Sequence, residues 1–596
     1  TNCQYQYFIR YRRIRIFAIM TEKNWKLKPI PQTEEDKQIV LSLMKDIHVS
    51  STTAQLLWQR NIVDFDEAKQ FFRPSIAHLH DPFLMRDMDK AVARLQKAIR
   101  SGEKILVYGD YDVDGTTAVA LMYGFLKKFT TQIDHYNPDR YKEGYGVSTQ
   151  GIDFAKEWGA TLIIALDCGI KAVDKVEYAH SLGIDFIICD HHEPGEALPQ
   201  AVAVLDPKRK DCPYPFKELT GNGVGFKLLQ AYSIRENIPD EILFSFIDLC
   251  VVSIGSDIVP IVGENRTLAY FGLKKLNEKP CVGLQALKEV AGFTTSMTIE
   301  NVVFVLGPRI NAAGRIKHAK AAVQLLLSDN LEDAKSFADE IHGQNAQRKE
   351  FDSAITQEAI EMIESDEWLR TQAKSTVLYN ENWHKGVIGI VASRCIEKYY
   401  RPTIILTHSN GKAAGSARSV AGFDLYSAIE SCSEHLEQFG GHTHAAGMTM
   451  PIENIPAFQK AFDQVVSQKI TPEQLIPQID VDLIVKLADI TPQFYKVMQQ
   501  MAPFGPQNMQ PVFQSNGLTL VGFPNLMREK HLKINVTEPN FSASFTAVGF
   551  GMGPDFYKRL LANKKPFSIV YTLAENTWNN QTTLQLMLRD IKIADN

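Results

Sequence analysis

From Lys104 the chain repeats one texture: a short apolar run ending on a polar or acidic residue, then a stretch with apolar positions three and four apart. The runs are KILVYGD, TLIIALDCG, DFIICDHH and AVAVLDP. After the first, Ala118, Leu121, Met122, Phe125, Leu126 and Phe129 fall on one helical face. Strands alternating with helices predict a parallel, doubly wound α/β sheet, and such sheets bind ligands beyond the carboxyl ends of their strands. Upstream, residues 34 to 100 read as short helices, with Asp64 placed to cap one of them. Downstream, Leu331, Ala334, Phe337, Ala338, Ile341, Ile355, Ala359 and Ile363 repeat without an intervening proline. They predict one helix roughly 50 Å long, a rigid connector. STVLYN, GVIGIVASRCIEKYY and RPTIILTHS predict a second α/β unit. Near residue 475 the pattern changes to alternating strands with Gly and Asn turns, predicting a small β-barrel of about five strands.

These changes divide the chain into an N-terminal extension (1–19), a helical segment (20–100), a catalytic α/β domain (101–328), a connector helix (329–370), a second α/β domain (371–468) and a β-barrel (469–596). A length of 596 residues is too great for one core. A net charge of -5 shows no global basic excess, so any nucleic-acid binding must use a local groove. Eight cysteines without a C-x-x-C pair, with Cys168, Cys189 and Cys250 inside apolar runs, read as buried free thiols of a reducing cytoplasm. No uninterrupted apolar stretch reaches the ~20 residues that span a bilayer. The first nineteen residues carry Arg10, Arg12, Arg13 and Arg15 and no acid. That composition resembles an organelle-targeting peptide but lacks its serines. Because Met20 opens an ordinary start, the expected reading is a translated upstream stretch or a misplaced start codon.

The candidate chemistry sits at the ends of the apolar runs. In VYGDYDVDGTTA, Asp110, Asp112 and Asp114 alternate between a strand and a helix. Gly115 is expected to permit an unusual backbone there, and the helix start to offer N–H groups to a phosphate. D-x-D-x-D-G also opens calcium loops, but the closing glutamate is replaced by Leu121. Asp167 ends the next run, where a carboxylate is costly unless paired or metal-bound; alone, it could cap a helix starting near Lys171. Asp190, His191 and His192 end the third run, and Asp257 follows the apolar VVSIGS. Carboxylates and imidazoles from neighbouring strands suit Mn²⁺ or Mg²⁺ better than a thiolate zinc site.

DYDVDG, ALDCG, DHH and SIGSD, in this order, resemble the DHH phosphoesterase superfamily. The likeness runs over nearly everything after Met20 and is greatest to the superfamily's bacterial single-strand-specific 5′→3′ DNA exonucleases. The resemblance implies a parallel-sheet DHH catalytic domain, a long connector helix, an α/β DHH-associated domain and a C-terminal OB-fold barrel. It implies two Mn²⁺ or Mg²⁺ ions: Asp112 and Asp114 on one each, Asp167 bridging, His191 and Asp257 completing the second. His192 would contact the scissile phosphate, with Asp110 and Asp190 orienting the ligands from behind. Ser416 and Arg418 of GSARS and His442 of GGHTHAAGM match the DHH-associated domain, which would grip phosphates across a cleft from the metals. NPDRYKEGYG offers Arg140 for a phosphate and Tyr145 for stacking on a base. GPRINAAGR offers Arg309 and Arg315, and the barrel adds Lys530 and Lys533.

The activity so implied is release of 5′-mononucleotides from single-stranded DNA by a monomeric, cytoplasmic bacterial enzyme. It would act in repair and recombination with a helicase and a single-strand-binding protein. Superfamily members acting on pyrophosphate, oligoribonucleotides or cyclic dinucleotides are shorter and lack the barrel. The pyrophosphatases place a His where this chain has Tyr108. A non-catalytic scaffold, like the eukaryotic helicase subunit with a degraded DHH domain, is disfavoured by the intact acids.

Overall fold

The apolar runs become five parallel strands: β1 (Ile105–Gly109), β2 (Ile133–Tyr136), β3 (Leu162–Leu166), β4 (Asp185–Cys189) and β5 (Ala203–Leu205), in the order β2-β1-β3-β4-β5. The computed structural model describes residues 23–140, 142–316, 320–579 and 581–593, so the expectation for residues 1–19 lies outside the described residues. Continuous apolar runs arise because both faces of the sheet are covered. Val107, Leu162, Ile164 and Ile187 enter one core, while Leu106, Ile163, Phe186 and Ile188 enter another on the opposite face. Strand β2 is unmarked in the sequence because Asp134 and His135 interrupt its apolar pattern.

Two helices, α1 (Val113–Leu126) and α2 (Gly221–Glu236), lean on this sheet, and a third, α3 (Ile247–Ser256), packs against both of them. All of α1 except Tyr123 is buried, and every residue of α3 except Ser256 is. Asp257 therefore follows a helix, correcting its expected place after a strand. A helix that is apolar all round carries no 3.6-residue stripe to tell it from a buried strand.

The proline-free pattern forms a single helix, α4 (Leu331–Ser365), of 35 residues. Two compact units divide within it: Leu27–Glu350 with Asp480–Asn596 form one, and residues 351–479 with 23–26 the described part of the other. In the first unit, helices over Glu34–Asp46, Ser51–Trp58 and Phe65–Phe72 share a core with the barrel, where Leu43, Leu56 and Leu57 meet Phe513, Ile534 and Tyr571. Asp64 caps the last of these helices, accepting from the Glu67 N–H. Arg266 lies over the Phe71 ring at 3.9 Å and donates to the carbonyls of Phe71, Met501, Ala502 and Pro503, tying the helical segment to the loop that leads into the barrel.

The second unit holds β6 (Thr376–Tyr379), α5 (Ile388–Lys398), β7 (Thr403–Ser409), β8 (Lys412–Arg418), β9 (Gln438–His442) and β10 (Ala445–Met450). Its sheet runs β9-β10-β8-β7-β6, with only β6 and β7 parallel. The barrel contains β11 (Leu483–Ile484), β12 (Phe513–Leu520), β13 (Asn525–Met527), β14 (His531–Thr537), β15 (Phe545–Gly549), β16 (Phe567–Trp578) and β17 (Gln581–Ile593). Five are the expected long strands; β11 and β13, at two and three residues, are too short to show alternation. Pairing of β12 with β14 closes the barrel.

Candidate metal centre

A strand order of 2-1-3-4-5 reverses direction between β1 and β3, which opens a crevice beyond their carboxyl ends. The loop Asp110–Asp114 leaves β1, Asp167 leaves β3, and Asp190–His192 leaves β4. Three overlapping groups of side chains have ligand atoms within 4.8 Å of one another: Asp110, Asp112 and Asp167; Asp114, His191 and Asp257; Asp167, His191 and His192. His191 Nε2 lies 3.1 Å from Asp167 Oδ1 and 3.7 Å from both Asp114 Oδ2 and Asp257 Oδ2.

Local structure aims each group. Asp112 caps α1, accepting the Gly115 N–H at 3.1 Å, so capping and membership of the cluster coexist in one carboxylate. That bond also uses a helix-start N–H expected to face a phosphate. Gly115 does not supply the unusual backbone expected of it: it lies within α1, and its need is space, since a Cβ would fall 2.5 Å from the Asp110 carbonyl oxygen. The left-handed residue is Asp167, at φ +58°, a conformation that costs a non-glycine residue energy and gathers at functional sites. Asp167 caps no helix, because the one that follows begins at Val173 without a side-chain cap.

Asp114 is wholly enclosed. It accepts the Gly221 and Asn222 N–H groups at 2.7 and 2.9 Å and the Ser253 hydroxyl at 2.7 Å, so the N-terminus of α2 points its positive dipole at the site. Gly221 allows this approach, since a Cβ there would lie 2.5 Å from Asp167 Cβ. Asp190 saturates both oxygens: Oδ1 accepts from the His191 and His192 N–H groups and from His192 Nδ1 at 2.7 Å, and Oδ2 from the Ile170 N–H. Among the described residues, Asp110 Oδ1 accepts a long bond from the Gly146 N–H at 3.3 Å, and Oδ2 is buried without a partner.

Electrostatics shows what the cluster lacks. Burial first, then the charges of Asp114, Asp112 and Asp257, push Asp167 well above the carboxylate range. Burial with Asp112 raises Asp110 likewise and lifts Asp114 to about 6. Burial with Asp114 and Asp112 lifts Asp257 to about 8. Burial and the neighbouring His192 hold His191 down at about 3, leaving a neutral ring with a lone pair to donate. At Asp190 and His192, burial opposes ionisation but their mutual bond prevails: Asp190 falls to about 2 and His192 rises to about 9. Crowded carboxylates that repel one another, a neutral imidazole and an orphaned buried oxygen fit oxygen-seeking divalent ions such as Mn²⁺ or Mg²⁺.

At the mouth, the Arg140 guanidinium lies 5.1 Å from the Tyr111 ring centre, and Tyr111 meets Tyr145 edge to face at 6.4 Å. Arg315 acts electrostatically on Tyr111, and neighbouring Gly314 leaves room for the Tyr111 carbonyl. Arg309 turns inward, donating to the Val305 carbonyl. In the other unit, Arg418 Nη1 donates to Ser416 Oγ at 3.1 Å, and Arg418 and His442 both pair with Ala445 across β8-β10-β9. Lys530 and Lys533 are exposed beside and on β14. Tyr111, Asn222, Ser253 and Asp206 escape the sequence reading. Asp206 alone carries a signal, since it ends β5 as Asp110, Asp167 and Asp190 end their strands, and burial lifts it to about 7.

Three family models match the chain: the DHH family N-terminal domain over residues 104–254, the DHHA1 domain over 372–468 and the RecJ OB domain over 481–590. The single-stranded-DNA-specific exonuclease RecJ of Bacillus subtilis (strain 168) is 37% identical over 581 residues, covering 97% of this chain and 72% of that protein. The crystal structure of RecJ in complex with Mn²⁺ from Thermus thermophilus superposes with a TM-score of 0.82 at 26% identity, over 96% of this chain and 80% of that one. The corresponding Mg²⁺ complex gives 0.76 at 26% identity, over 96% and 79%.

Proposed function

The chain belongs to the RecJ family of single-stranded-DNA-specific exonucleases, built on the DHH domain, and from that membership we propose a two-ion hydrolysis of the strand from its 5′ end. The protein is a metal-dependent exonuclease. In this reading Asp112 and Asp114 would each hold one ion, with Asp167, His191 and Asp257 supplying the remaining protein ligands. Asp110 and Asp190 orient these groups, Asp190 by fixing both histidine backbones and the His192 ring. When bound, Mn²⁺ or Mg²⁺ supplies Lewis-acid polarisation of the phosphate and a more acidic water. The Asp190 bond favours the charged form of His192, whose Nε2 would meet the scissile phosphate and offset charge that develops there.

Substrate contacts follow from chemistry. Ser416, Arg418 and His442 take phosphate oxygens, Arg418 through its planar fork. Arg140 and Arg315 serve the phosphates nearer the metals, whereas Arg309, buried and bonded to the Val305 carbonyl, braces its own helix; Tyr145 stacks on a base, and Lys530 and Lys533 guide the strand along the barrel. The products are 5′-mononucleotides, and the setting is bacterial repair and recombination beside a helicase and a single-strand-binding protein. The observation that carries this reading is the overlap of two carboxylate–imidazole groups and one of carboxylates alone in a chain that also bears the DHHA1 and RecJ OB domains. Incubation with Mn²⁺ and a 5′-labelled single strand should release labelled mononucleotide at once, while duplex, pyrophosphate and a cyclic dinucleotide persist. A ladder of shortened labelled strands would reverse the direction, and no mononucleotide at all would sink the hydrolysis.

A further inference from the structure

The hydroxyl of Tyr145 occupies the nitrogen that the proposed hydrolysis needs. His192 Nδ1 is engaged by Asp190 Oδ1 at 2.7 Å, which leaves Nε2 to meet a phosphate. Tyr145 Oη lies 2.9 Å from that Nε2 and 3.4 Å from the Asp167 carbonyl oxygen. A phosphate oxygen and the tyrosine hydroxyl cannot both hold this position. The rest of the side chain is loosely bound: 56% of Tyr145 is exposed, and among the described residues its ring makes edge contacts with Tyr111 at 6.4 Å and His192 at 5.8 Å. Its neighbours Gly144 and Gly146 are left-handed, at φ +86° and +82°, and a Cβ at either would meet nothing within 4 Å. Crowding does not require glycine at those positions; the backbone conformation does. Gly146 is held on both sides, its N–H on Asp110 Oδ1 at 3.3 Å and its carbonyl by the Tyr108 hydroxyl at 3.0 Å, so the freedom lies in the Tyr145 side chain and at Gly144, whose N–H makes one 3.3 Å bond to the Asp139 carbonyl.

We propose that Tyr145 is a positioning residue with two stations. In the substrate-free protein its hydroxyl docks on His192 Nε2 and holds that ring against Asp190. An arriving strand draws the ring onto a base, the side chain swings about its own bonds with the turn flexing at Gly144, and Nε2 passes to the scissile phosphate. Exposure of Nε2 is thereby coupled to the presence of a base, so a phosphate that brings no base leaves the site capped. The inference rests on the reading of His192 as the phosphate-contacting group.

Steady-state kinetics of the full chain with Mn²⁺ tests it on two strands, one ordinary and one abasic at its 5′ end. Tyr145→Phe keeps the ring and deletes the cap. It should lower KM about two- to tenfold, the range of one hydrogen bond, without lowering kcat, and narrow the gap between the two strands. Tyr145→Ala should raise KM on the ordinary strand by removing the stacking ring. In imidazole ¹⁵N spectra, the His192 Nε2 signal should move on Tyr145→Phe without DNA, and in the wild type on adding a phosphorothioate strand. A fall in kcat at constant KM for Tyr145→Phe would place the hydroxyl in the chemistry and overturn the two-station scheme; so would unchanged kinetics and spectra. His192→Ala separates the layers: undiminished kcat removes the underlying reading, whereas lost kcat with an inert Tyr145→Phe removes the two stations alone.

Discussion

Replacing Asp167 by Asn deletes one charge from the crevice while preserving its shape. Asp167 sits at φ +58°, a conformation Asn accepts and Ala resists by about 1–2 kcal/mol, so the amide isolates charge from strain. Its ligand oxygen lies within 4.8 Å of those of Asp110 and Asp112. At that distance and an effective dielectric constant near 20, two full charges repel by about 3 kcal/mol. Burial and the surrounding acids push the Asp167 carboxyl well above the usual range, so that figure is the most the amide can relieve, and only where Asp167 would otherwise be ionised. The sign follows from raised folded-state values: an ordinary 3.8 becomes about 6 at Asp114 and about 8 at Asp257. The cost of the cluster is therefore absent below about pH 4 and grows as pH rises through those folded values. In chelator, the Asn variant should melt with the wild type in acid and increasingly above it from about pH 5 to 8.5. In Mn²⁺ the order reverses, because the variant loses most of the ion-induced stabilisation. Single-strand hydrolysis should fall more than about 100-fold, beyond what loss of a ligand's outer partner costs, with metal-free strand binding kept. An Asn variant no more stable than the wild type in chelator at pH 8, or one with a full Mn²⁺ response, refutes the argument.

Mn²⁺ at about 100 times its Kd should stabilise the wild type by about 3 kcal/mol, and more at pH 8 than at pH 6, because bound protons must leave Asp114 and Asp257 first; thermal melts in a Mn²⁺ series read this directly. Gly221→Ala puts a methyl 2.5 Å from Asp167 Cβ and should cost about 1–3 kcal/mol while weakening Mn²⁺ binding, seen by melting and by metal titration. Further along α2, Lys227 pairs with Glu264 at 3.1 Å, both side chains fully buried. Lys227→Met strands the carboxylate and should cost about 3–5 kcal/mol by urea midpoint, and adding Glu264→Gln should restore part of that.

The acids that end strands are legible because a strand buried on both faces is apolar from end to end, and its first charged residue stands out. Asp110, Asp167 and Asp190 announce themselves this way, and Asp206 has the same mark. Asp257 shows its identity but not its element, since α3 is as apolar as a strand and twice as long. The groups that hold Asp114 are nearly silent. Gly221 and Asn222 act through backbone N–H, which any residue but proline carries, and Ser253 lies 139 positions away. Tyr145 shows the opposite limit: its type suggests stacking on a base, yet the contact that the fold gives it is a hydroxyl on His192. Sequence thus exposes charges whose burial is costly, while the geometry that makes them tolerable appears only on folding. That asymmetry has a physical root. Like charges at strand ends can be gathered in one crevice only if something offsets their repulsion, and protons held on Asp114 and Asp257, whose folded values are about 6 and about 8, do so only in part. The remaining deficit draws in a divalent ion, so the instability of the empty cluster and the chemistry of the filled one have the same cause.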